Sequence, residues 1–458
     1  MAELPALDEQ VLADWIVRQR WFGAKASHVS HLGVLGAVPL REGEPPLLAA
    51  ALLEARFPAG THELYQVLLG ARPASDRWNQ GVIGEAGEWT LYDALVDPKA
   101  TALLGNLLAD GAELTGGAGV VRFRTVDTPS LGGSVRAMGA EQSNSSVVFD
   151  ERSVLKVFRK VEAGDNPELE MLRFLQEHGF HNIAELEGWY EFAGELMEAT
   201  LGVLQAFVAD ARDGLELALD EIADPRLIDR LRRLGTVTGR MHSTLASDAT
   251  DADFAPEDPG DEALSLLVAT IDEQIEQIFM RLPDDDERVA PIAGRGEEIR
   301  DRLQQLSHVG VGGRLIRHHG DYHLGQTLLS RENDWVILDF EGEPARPLLE
   351  RRRKRSPLRD VAGMLRSFAY VASASDLQRG RPAPDGWEGR ARDAFLRAYY
   401  DAIEPALLPA SEAGTEKLLQ IFELEKAVYE LRYELNNRPD WVRIPVTGIL
   451  RLLEEPMA

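Results

Sequence analysis

The chain contains no cysteine, which excludes disulfide bonds and thiolate metal ligands among its own residues. It also lacks any run of about 18 apolar residues, so we predict no transmembrane helix. Basic residues are scarce, because 49 lysines and arginines stand against 76 acids, giving a formal net charge of −27. Nucleic acids and anionic membranes both require a basic face on the protein that binds them. We therefore expect neither as a partner.

The sequence begins without the basic and apolar segments of a secretory signal, which with the lack of cysteine favours a cytoplasmic location. A hydrophobic content of 44% is ordinary for a globular protein, and 458 residues predict two or three packed subdomains. We predict an α+β region over 1–110, a strand-rich region over 111–204 and a mainly helical region over 205–458. Within the first region, 89–109 reads as a single helix.

The most informative stretch is polar and reads RHHGDYHLGQ over 317–326. Its glycines and charges predict a loop, and a short apolar strand ending at Asp339 follows it. An acid, an amide side chain five residues later and a second acid occur in the order that kinase-type phosphoryl transfer requires. We assign Asp321 as catalytic base and Gln326 with Asp339 as metal ligands. A turn with a few satisfied polar groups is the structural alternative.

Three further polar residues flank these acids and are candidate contacts to the substrate. They are His319, His323 and Glu341. His242, by contrast, lies in a predicted amphipathic helix over 227–245, where a core or capping role is favoured over a ligand role.

A polar loop between two predicted strands is a candidate phosphate-binding segment. Its backbone and hydroxyl groups could donate hydrogen bonds to phosphate oxygens. The next strand carries one central lysine, Lys156, which kinase N-lobes use to hold phosphates. An ordinary strand lysine is the alternative. The loop residues assigned to the cofactor are Gln142, Ser143, Asn144, Ser145 and Ser146.

The next helix is predicted to begin at Asn166 and Pro167, which suit the N-cap and first helical positions. Its first turn offers two acids as partners for Lys156. We favour Glu170 and keep Glu168 as the alternative, and a solvent-facing acid also remains open.

A segment between the strand-rich and helical regions, 204–208, is predicted to be the hinge. Hinge backbone groups commonly contact an adenine edge, so Gln205 and Val208 are candidate cofactor contacts. A basic run over 351–355 reads either as a phosphate or partner site or as a solvated loop.

The last helical block places Lys426, Tyr429 and Tyr433 on one face, because they recur at three- and four-residue steps. Such a face suits a polyhydroxylated ligand. It equally suits an ordinary salt-bridged surface.

Five segments resemble the actinobacterial maltokinases, and the likeness extends over nearly the whole chain. They are RWFGAK (20–25), HGDYHLGQ (319–326), ILDFEGEP (337–344), SPLRDVAGMLRSF (356–368) and EKAVYELRYE (425–434). The resemblance implies a bilobal protein-kinase-like fold, as in aminoglycoside phosphotransferases, with an N-terminal cap. The cap would then be 1–110, the N-lobe 111–204 and the helical C-lobe 205–458.

Members of this family transfer the ATP γ-phosphate to the anomeric hydroxyl of maltose, which yields maltose 1-phosphate for α-glucan and glycogen synthesis. The resemblance implies that Asp321 is the base, that Gln326 and Asp339 hold Mg²⁺, and that Lys156 contacts phosphates. It assigns the sugar site to Lys426, Tyr429 and Tyr433.

Two other functions remain open at this point. One is a glucosamine or aminoglycoside kinase of the same fold. The other is a non-catalytic partner of a trehalose-isomerising enzyme, with which the domain can be associated. An intact set of Lys156, Asp321, Gln326 and Asp339 argues against the non-catalytic alternative. The sequence predicts no oligomeric state.

Overall fold

The computed structural model describes residues 8–23, 29–126, 131, 133–138, 144–195, 197–260, 262–283, 286–307, 312–344 and 346–454. The chain divides into two compact units. The first takes its residues from Met1–Gln176 and Ala184–Ala209, and the second from Glu177–Ile183 and Asp210–Ala458.

The first unit is built mainly from strands. Its helices are α1 Glu9–Ile16, α2 Pro98–Ala109 and α3 Pro167–Glu177, the last residue of which falls in the second unit. Its strands are β1 His31–Arg41, β2 Leu47–Arg56, β3 His62–Pro73, β4 Val82–Ala86, β5 Trp89–Asp93, β6 Glu113–Gly116, β7 Gly119–Thr125, β8 Val135–Ala137, β9 Asn144–Phe149, β10 Ser153–Phe158, β11 Lys160–Val161, β12 Leu186–Ala193 and β13 Glu198–Ala206.

Two antiparallel sheets organise these strands. One has the order β1-β2-β3-β5-β4, with β11 also paired to β3, and the other has the order β6-β7-β12-β13-β10-β9-β8. Residues alternate along β12, so that Tyr190 and Phe192 point into the core. They share one apolar cluster with Phe123, and also with Leu52 and Leu68 from the first sheet. The two sheets of this unit are therefore joined by a common core.

The expected single helix over 89–109 is wrong in its first part. Trp89–Asp93 is strand β5, and α2 begins only at Pro98. Asp97 caps this helix by accepting a hydrogen bond from the backbone N–H of Lys99. An aspartate followed by proline is a helix-start signal. That signal was available in the sequence, so the helix could have been placed correctly.

The second unit is mainly helical. Its helices are α4 Gly214–Asp220, α5 Pro225–Leu245, α6 Ala263–Phe279, α7 Gly296–Ser307, α8 Leu348–Arg351, α9 Leu358–Arg379, α10 Trp387–Ala402, α11 Glu412–Asn437 and α12 Arg443–Glu454. Its strands are β14 Arg212–Asp213, β15 Thr327–Leu329 and β16 Trp335–Ile337. One apolar cluster, with members such as Ile271, Leu303, Val428 and Ile449, joins α6, α7, α11 and α12. Over the described ranges, no helix is both long and apolar enough to cross a membrane.

Gln66 on β3 connects the two sheets of the first unit and generates a stability prediction. Its side-chain Nε2 donates to the carbonyl oxygens of Phe158 (2.8 Å) and Leu201 (2.7 Å), and its Oε1 accepts from the Tyr190 hydroxyl at 2.9 Å. Gln66→Leu leaves these buried groups unpaired, at about 1–3 kcal/mol for each. We expect it to lower the free energy of unfolding by about 3 kcal/mol in urea denaturation.

Gln10→Leu, at an exposed position on α1 in the same unit, is the matched control and should shift the unfolding midpoint little. Equal stability of the two variants would contradict a structural role for Gln66.

Candidate active site

The loop 317–323 is anchored by one buried carboxylate, that of Asp360 in the first turn of α9. Asp360 accepts hydrogen bonds from the backbone N–H of His319 at 2.7 Å and of Gly320 at 2.9 Å. Gly320 has φ +86°, and an added Cβ there would lie 3.2 Å from the Cα of Gly342. An added Cβ on Gly363 of α9 would lie 2.6 Å from the carbonyl oxygen of Tyr322. Both glycines therefore permit the close packing that fixes the loop.

A buried histidine completes the support of this carboxylate. His242 is 0% exposed, and its Nε2 lies 3.1 Å from Asp360 Oδ2 while its Nδ1 lies 3.0 Å from the Tyr399 hydroxyl. Burial alone would raise the pKa of Asp360, but nearby His318 and the hydrogen bond with His242 outweigh it and hold the pKa below its ordinary value. Asp360 therefore stays ionised and continues to accept hydrogen bonds from the loop backbone.

A hairpin brings the two predicted metal ligands together. Strands β15 and β16 pair Thr327 with Ile337, and the backbone N–H of Leu338 donates to the Gln326 carbonyl at 2.9 Å. Gln326 Nε2 then donates to Asp339 Oδ2 at 2.9 Å. Asp339 has φ 63°, a left-handed conformation that non-glycine residues rarely adopt. Side-chain oxygens from an amide and a carboxylate are donors that Mg²⁺ accepts.

A polar pocket lies around Asp321 within the second unit. The Lys426 ammonium is 3.5 Å from Asp321 Oδ1, and His323 Nε2 is 3.9 Å from Asp321 Oδ2. Burial lowers the pKa of Lys426, but the negative charges of Asp321, Glu430 and Glu343 together outweigh it and raise the pKa overall. Lys426 is therefore a charged neighbour of Asp321. The pocket is lined by Gln274, His318, Gly320, Asp321, Tyr322, Glu343, Arg346, Arg359, Asp360, Gly363, Phe422, Glu425, Lys426 and Tyr429.

Lys156, which is predicted to contact phosphates, lies in the first unit. The Lys156 Nζ lies 2.6 Å from Glu168 Oε2, and Gln205 Nε2 donates to Glu168 Oε1 at 2.9 Å. The Asn166 side chain accepts from the Glu168 backbone N–H at 2.8 Å and starts the helix. The preferred partner, Glu170, is therefore corrected to Glu168. The helix begins at Pro167 as predicted, and Glu168, the second residue of its first turn, is the acid that reaches Lys156 on β10.

The remaining cofactor predictions fall in three places. Gln142 and Ser143 lie outside the described residues. Asn144, Ser145 and Ser146 open β9, where the Ser145 hydroxyl accepts from Arg159 Nε at 2.8 Å. These three residues are thus in a strand rather than a loop. Val208 follows the end of β13.

Two regions of the chain match the models of known protein families. Residues 15–97 match the family model of the maltokinase N-terminal cap domain, and residues 134–342 match that of the phosphotransferase enzyme family. These two matches support a maltokinase-like protein with the phosphotransferase fold. The expected α+β class, kinase-like with an N-terminal cap and a mainly helical C-terminal region, is confirmed.

The names of two curated relatives of this chain give glucosamine, not maltose, as the substrate. The glucosamine kinase of Streptacidiphilus jiangxiensis is 27% identical over 340 residues, covering 70% of this chain and 74% of that protein. The glucosamine kinase of Mycolicibacterium smegmatis is 24% identical over 400 residues, covering 84% of this chain and 92% of that protein. A solved structure of a glucosamine kinase in complex with glucosamine, ADP and inorganic phosphate has a TM-score of 0.70 at 20% identity, covering 98% of this chain and 100% of that one. Such a structural likeness establishes the fold.

Two predicted substrate residues of the maltokinase-like chain lie away from the Asp321 pocket. His319 is 1% exposed, and its Nε2 lies 2.8 Å from the Leu338 carbonyl oxygen, so it ties the loop to the hairpin. Glu341 lies 3.9 Å from Arg351. Neither is among the described residues that line the pocket.

The face predicted on α11 is only partly at the pocket. Lys426 and Tyr429 line it, whereas Tyr433 is 44% exposed and has the Arg438 guanidinium over its ring. Seven residues from Lys426 to Tyr433 span almost two turns, so Tyr433 is carried beyond the pocket.

The basic run 351–355 is largely neutralised by nearby acids and carbonyls. Lys354 Nζ lies 2.7 Å from Glu257 and 2.7 Å from the Ala252 carbonyl oxygen, and Arg352 lies 3.7 Å from Asp253. The acidic segment 251–258 thus partners this run, and most of it is a salt-bridged surface.

Sequence reasoning missed four charged residues of the pocket. They form two ion pairs, Glu343 with Arg346 at 2.5 Å and Glu425 with Arg359 at 2.7 Å. Arg359 and Glu425 both lie within the segments that resemble maltokinases. Their pairing across α9 and α11 is a long-range contact with no local sequence signal.

His318, in the pocket wall, generates a pH prediction. Burial lowers its pKa from 6.5 to about 3, and nearby arginines add to this while Asp360 opposes it. Between pH 3 and pH 6.5, His318 binds a proton in the unfolded chain but not in the folded chain. The free energy of unfolding therefore falls as pH decreases from 6.5 toward 3. His318→Gln should flatten this fall, measured as the free energy of unfolding against pH.

The matched control is His181→Gln, an exposed histidine of the same unit, which should keep the wild-type slope. A wild-type slope in His318→Gln would show that His318 is not buried in its neutral form.

Proposed function

We propose that this protein transfers the γ-phosphoryl group of ATP to the anomeric hydroxyl of maltose, forming maltose 1-phosphate for α-glucan synthesis. The observation that carries the proposal is the pocket around Asp321, in which Glu343, Glu425 and Asp321 each have a basic side chain as neighbour. The match of residues 15–97 to the maltokinase cap supports the same acceptor. The cytoplasm, where ATP is available, is the proposed compartment. Association with a trehalose-isomerising enzyme remains a prediction from the resemblance.

Asp321 is the proposed general base, which orients the acceptor hydroxyl and takes its proton. Its position is set from the backbone, because Asp360 holds the two residues that precede it. Lys426, 3.5 Å from Asp321 Oδ1, places a positive charge beside the proposed base. Orientation and electrostatic stabilisation then supply most of the rate acceleration in phosphoryl transfer.

Each of the two units is proposed to supply residues that bind the phosphates or their metal ion. In the first unit, Glu168 holds the Lys156 ammonium, which is proposed to contact ATP phosphates. In the second, Gln326 and Asp339 would hold magnesium. When bound there, magnesium would neutralise charge on the phosphates. The adjacent amide and carboxylate fit this role through their oxygen donors.

The choice of maltose over glucosamine follows from pairing in the pocket. An amino sugar brings an ammonium group, which requires a carboxylate that is not already neutralised. Here Glu343 is bound to Arg346, Glu425 is bound to Arg359, and Lys426 faces Asp321. A further cation would meet paired acids and repelling arginines. A neutral, polyhydroxylated sugar can instead accept and donate hydrogen bonds along these charged groups.

Glucosamine is the second candidate acceptor, because the two curated relatives are named glucosamine kinases. It requires one of the pocket acids to exchange its arginine for the substrate ammonium. Glu425 is the acid best suited to such an exchange. Its partner Arg359 also lies over the Phe422 ring at 5.2 Å, so Arg359 would keep this contact after releasing Glu425.

A coupled assay of ADP release with maltose, glucosamine, glucose and trehalose tests the function. Maltose should give a kcat/KM about tenfold or more above each of the others. Glucosamine brings an ammonium that the paired acids do not accommodate, glucose lacks the second ring, and trehalose has no free anomeric hydroxyl to accept the phosphoryl group. Release with glucosamine alone would transfer the assignment to an amino-sugar kinase. Release with none of the sugars would contradict sugar phosphorylation itself.

Asp321→Asn is the catalytic control in this assay and should lose about 10²-fold or more in kcat while retaining ATP binding. Asp334→Asn, at the β15–β16 turn, changes charge by the same amount and should retain activity.

The Lys156 partner is tested by a matched pair of variants in one helical turn. Glu168→Gln removes the carboxylate 2.6 Å from Lys156 and should weaken ATP binding about tenfold, measured by calorimetry. Glu170→Gln removes the same charge two residues later and should have a smaller effect. A larger effect at Glu170 would restore the original sequence preference and contradict the structural assignment.

A further inference from the structure

A second cavity of the second unit lies next to the Asp321 pocket and has a different character. It encloses about 780 Å³, its open mouth included. Aliphatic side chains, among them Leu264, Leu267 and Ile421, form much of its wall. Arg359 and Phe422 line both this cavity and the Asp321 pocket. The two spaces are therefore separated by a single layer of side chains.

Four basic residues also line the second cavity, and three of them are already paired. Arg314 lies 3.3 Å from Asp258, Lys354 lies 2.7 Å from Glu257, and Arg359 lies 2.7 Å from Glu425. The fourth is Arg355, which is half-buried. Within the part of the chain that the structure describes, its guanidinium makes no hydrogen bond or ion pair.

The surroundings of Arg355 make an anion the natural complement. Burial lowers its pKa, and repulsion from Arg359, Arg346 and Arg353 adds to this while the carboxylate of Glu425 opposes it. An unpaired charge beside apolar walls is costly unless a counter-charge approaches it. A guanidinium also presents parallel N–H donors that match a carboxylate.

We infer that this cavity is a binding site for a small organic carboxylate with an apolar body. The carboxylate binds Arg355, and the aliphatic wall receives the body. Ligand sites combine these features, since most are apolar with a few fixed polar groups. A sugar is a poorer occupant, because the face of Phe422 is covered by Arg359 and most of the cationic donors are already engaged.

Calorimetric titration of the full chain with three probes tests the site independently of catalysis. Hexanoate combines the carboxylate and the apolar chain, acetate keeps only the charge, and hexanol keeps only the chain. Hexanoate should bind about tenfold or more tightly than either partial probe. Equal binding of hexanol would show an apolar cavity with no anion site.

Arg355→Met removes the guanidinium but keeps a long side chain, and it should weaken hexanoate binding about tenfold. Arg353→Met, at the exposed neighbouring arginine, is the matched control and should bind as wild type does. Unchanged affinity in Arg355→Met, with its folding verified by circular dichroism, would overturn the inference. Because no sugar or ATP is used, failure here would leave the proposed phosphorylation of maltose standing.

Discussion

The catalytic loop depends on one buried carboxylate, that of Asp360. It accepts hydrogen bonds from the backbone N–H groups of His319 and Gly320, and it lies 3.1 Å from the His242 ring. Hydrogen bonds to a buried charge are among the stronger ones, and leaving such a charge unpaired is costly. Because the bonds come from the backbone immediately before Asp321, they set the position of the proposed base.

Helix α9 extends this constraint from the loop to helix α11. Arg359 and Arg366 on α9 pair with Glu425 and Glu430 on α11 at 2.7 Å each. The same α9 helix thus holds the base loop at its first turn and fixes α11, which carries Lys426. In a chain of net charge −27, these local pairings create a balanced pocket within an acidic protein.

Local sequence signals predicted the catalytic loop, the lysine strand and most helices, because spacing and turn residues determine those features. Asp321, Gln326 and Asp339 could be proposed from their order along the chain, and the structure brings Gln326 and Asp339 together. The choice between Glu168 and Glu170 could not be made, since it depends on which side of the first turn of α3 meets β10, and the predicted start at Pro167 does not determine that. Pairings such as Glu425 with Arg359 were missed because their 66-residue separation leaves no local pattern.

The most direct measurement of the central claim is the ³¹P NMR spectrum of the product formed from ATP and maltose. Transfer to the anomeric hydroxyl should give a new sugar-phosphate resonance that couples to the anomeric proton of the reducing glucose. A phosphate coupled to any other sugar proton would contradict the proposed position of transfer. A spectrum with no sugar phosphate from maltose, but with one from glucosamine, would contradict the proposed acceptor.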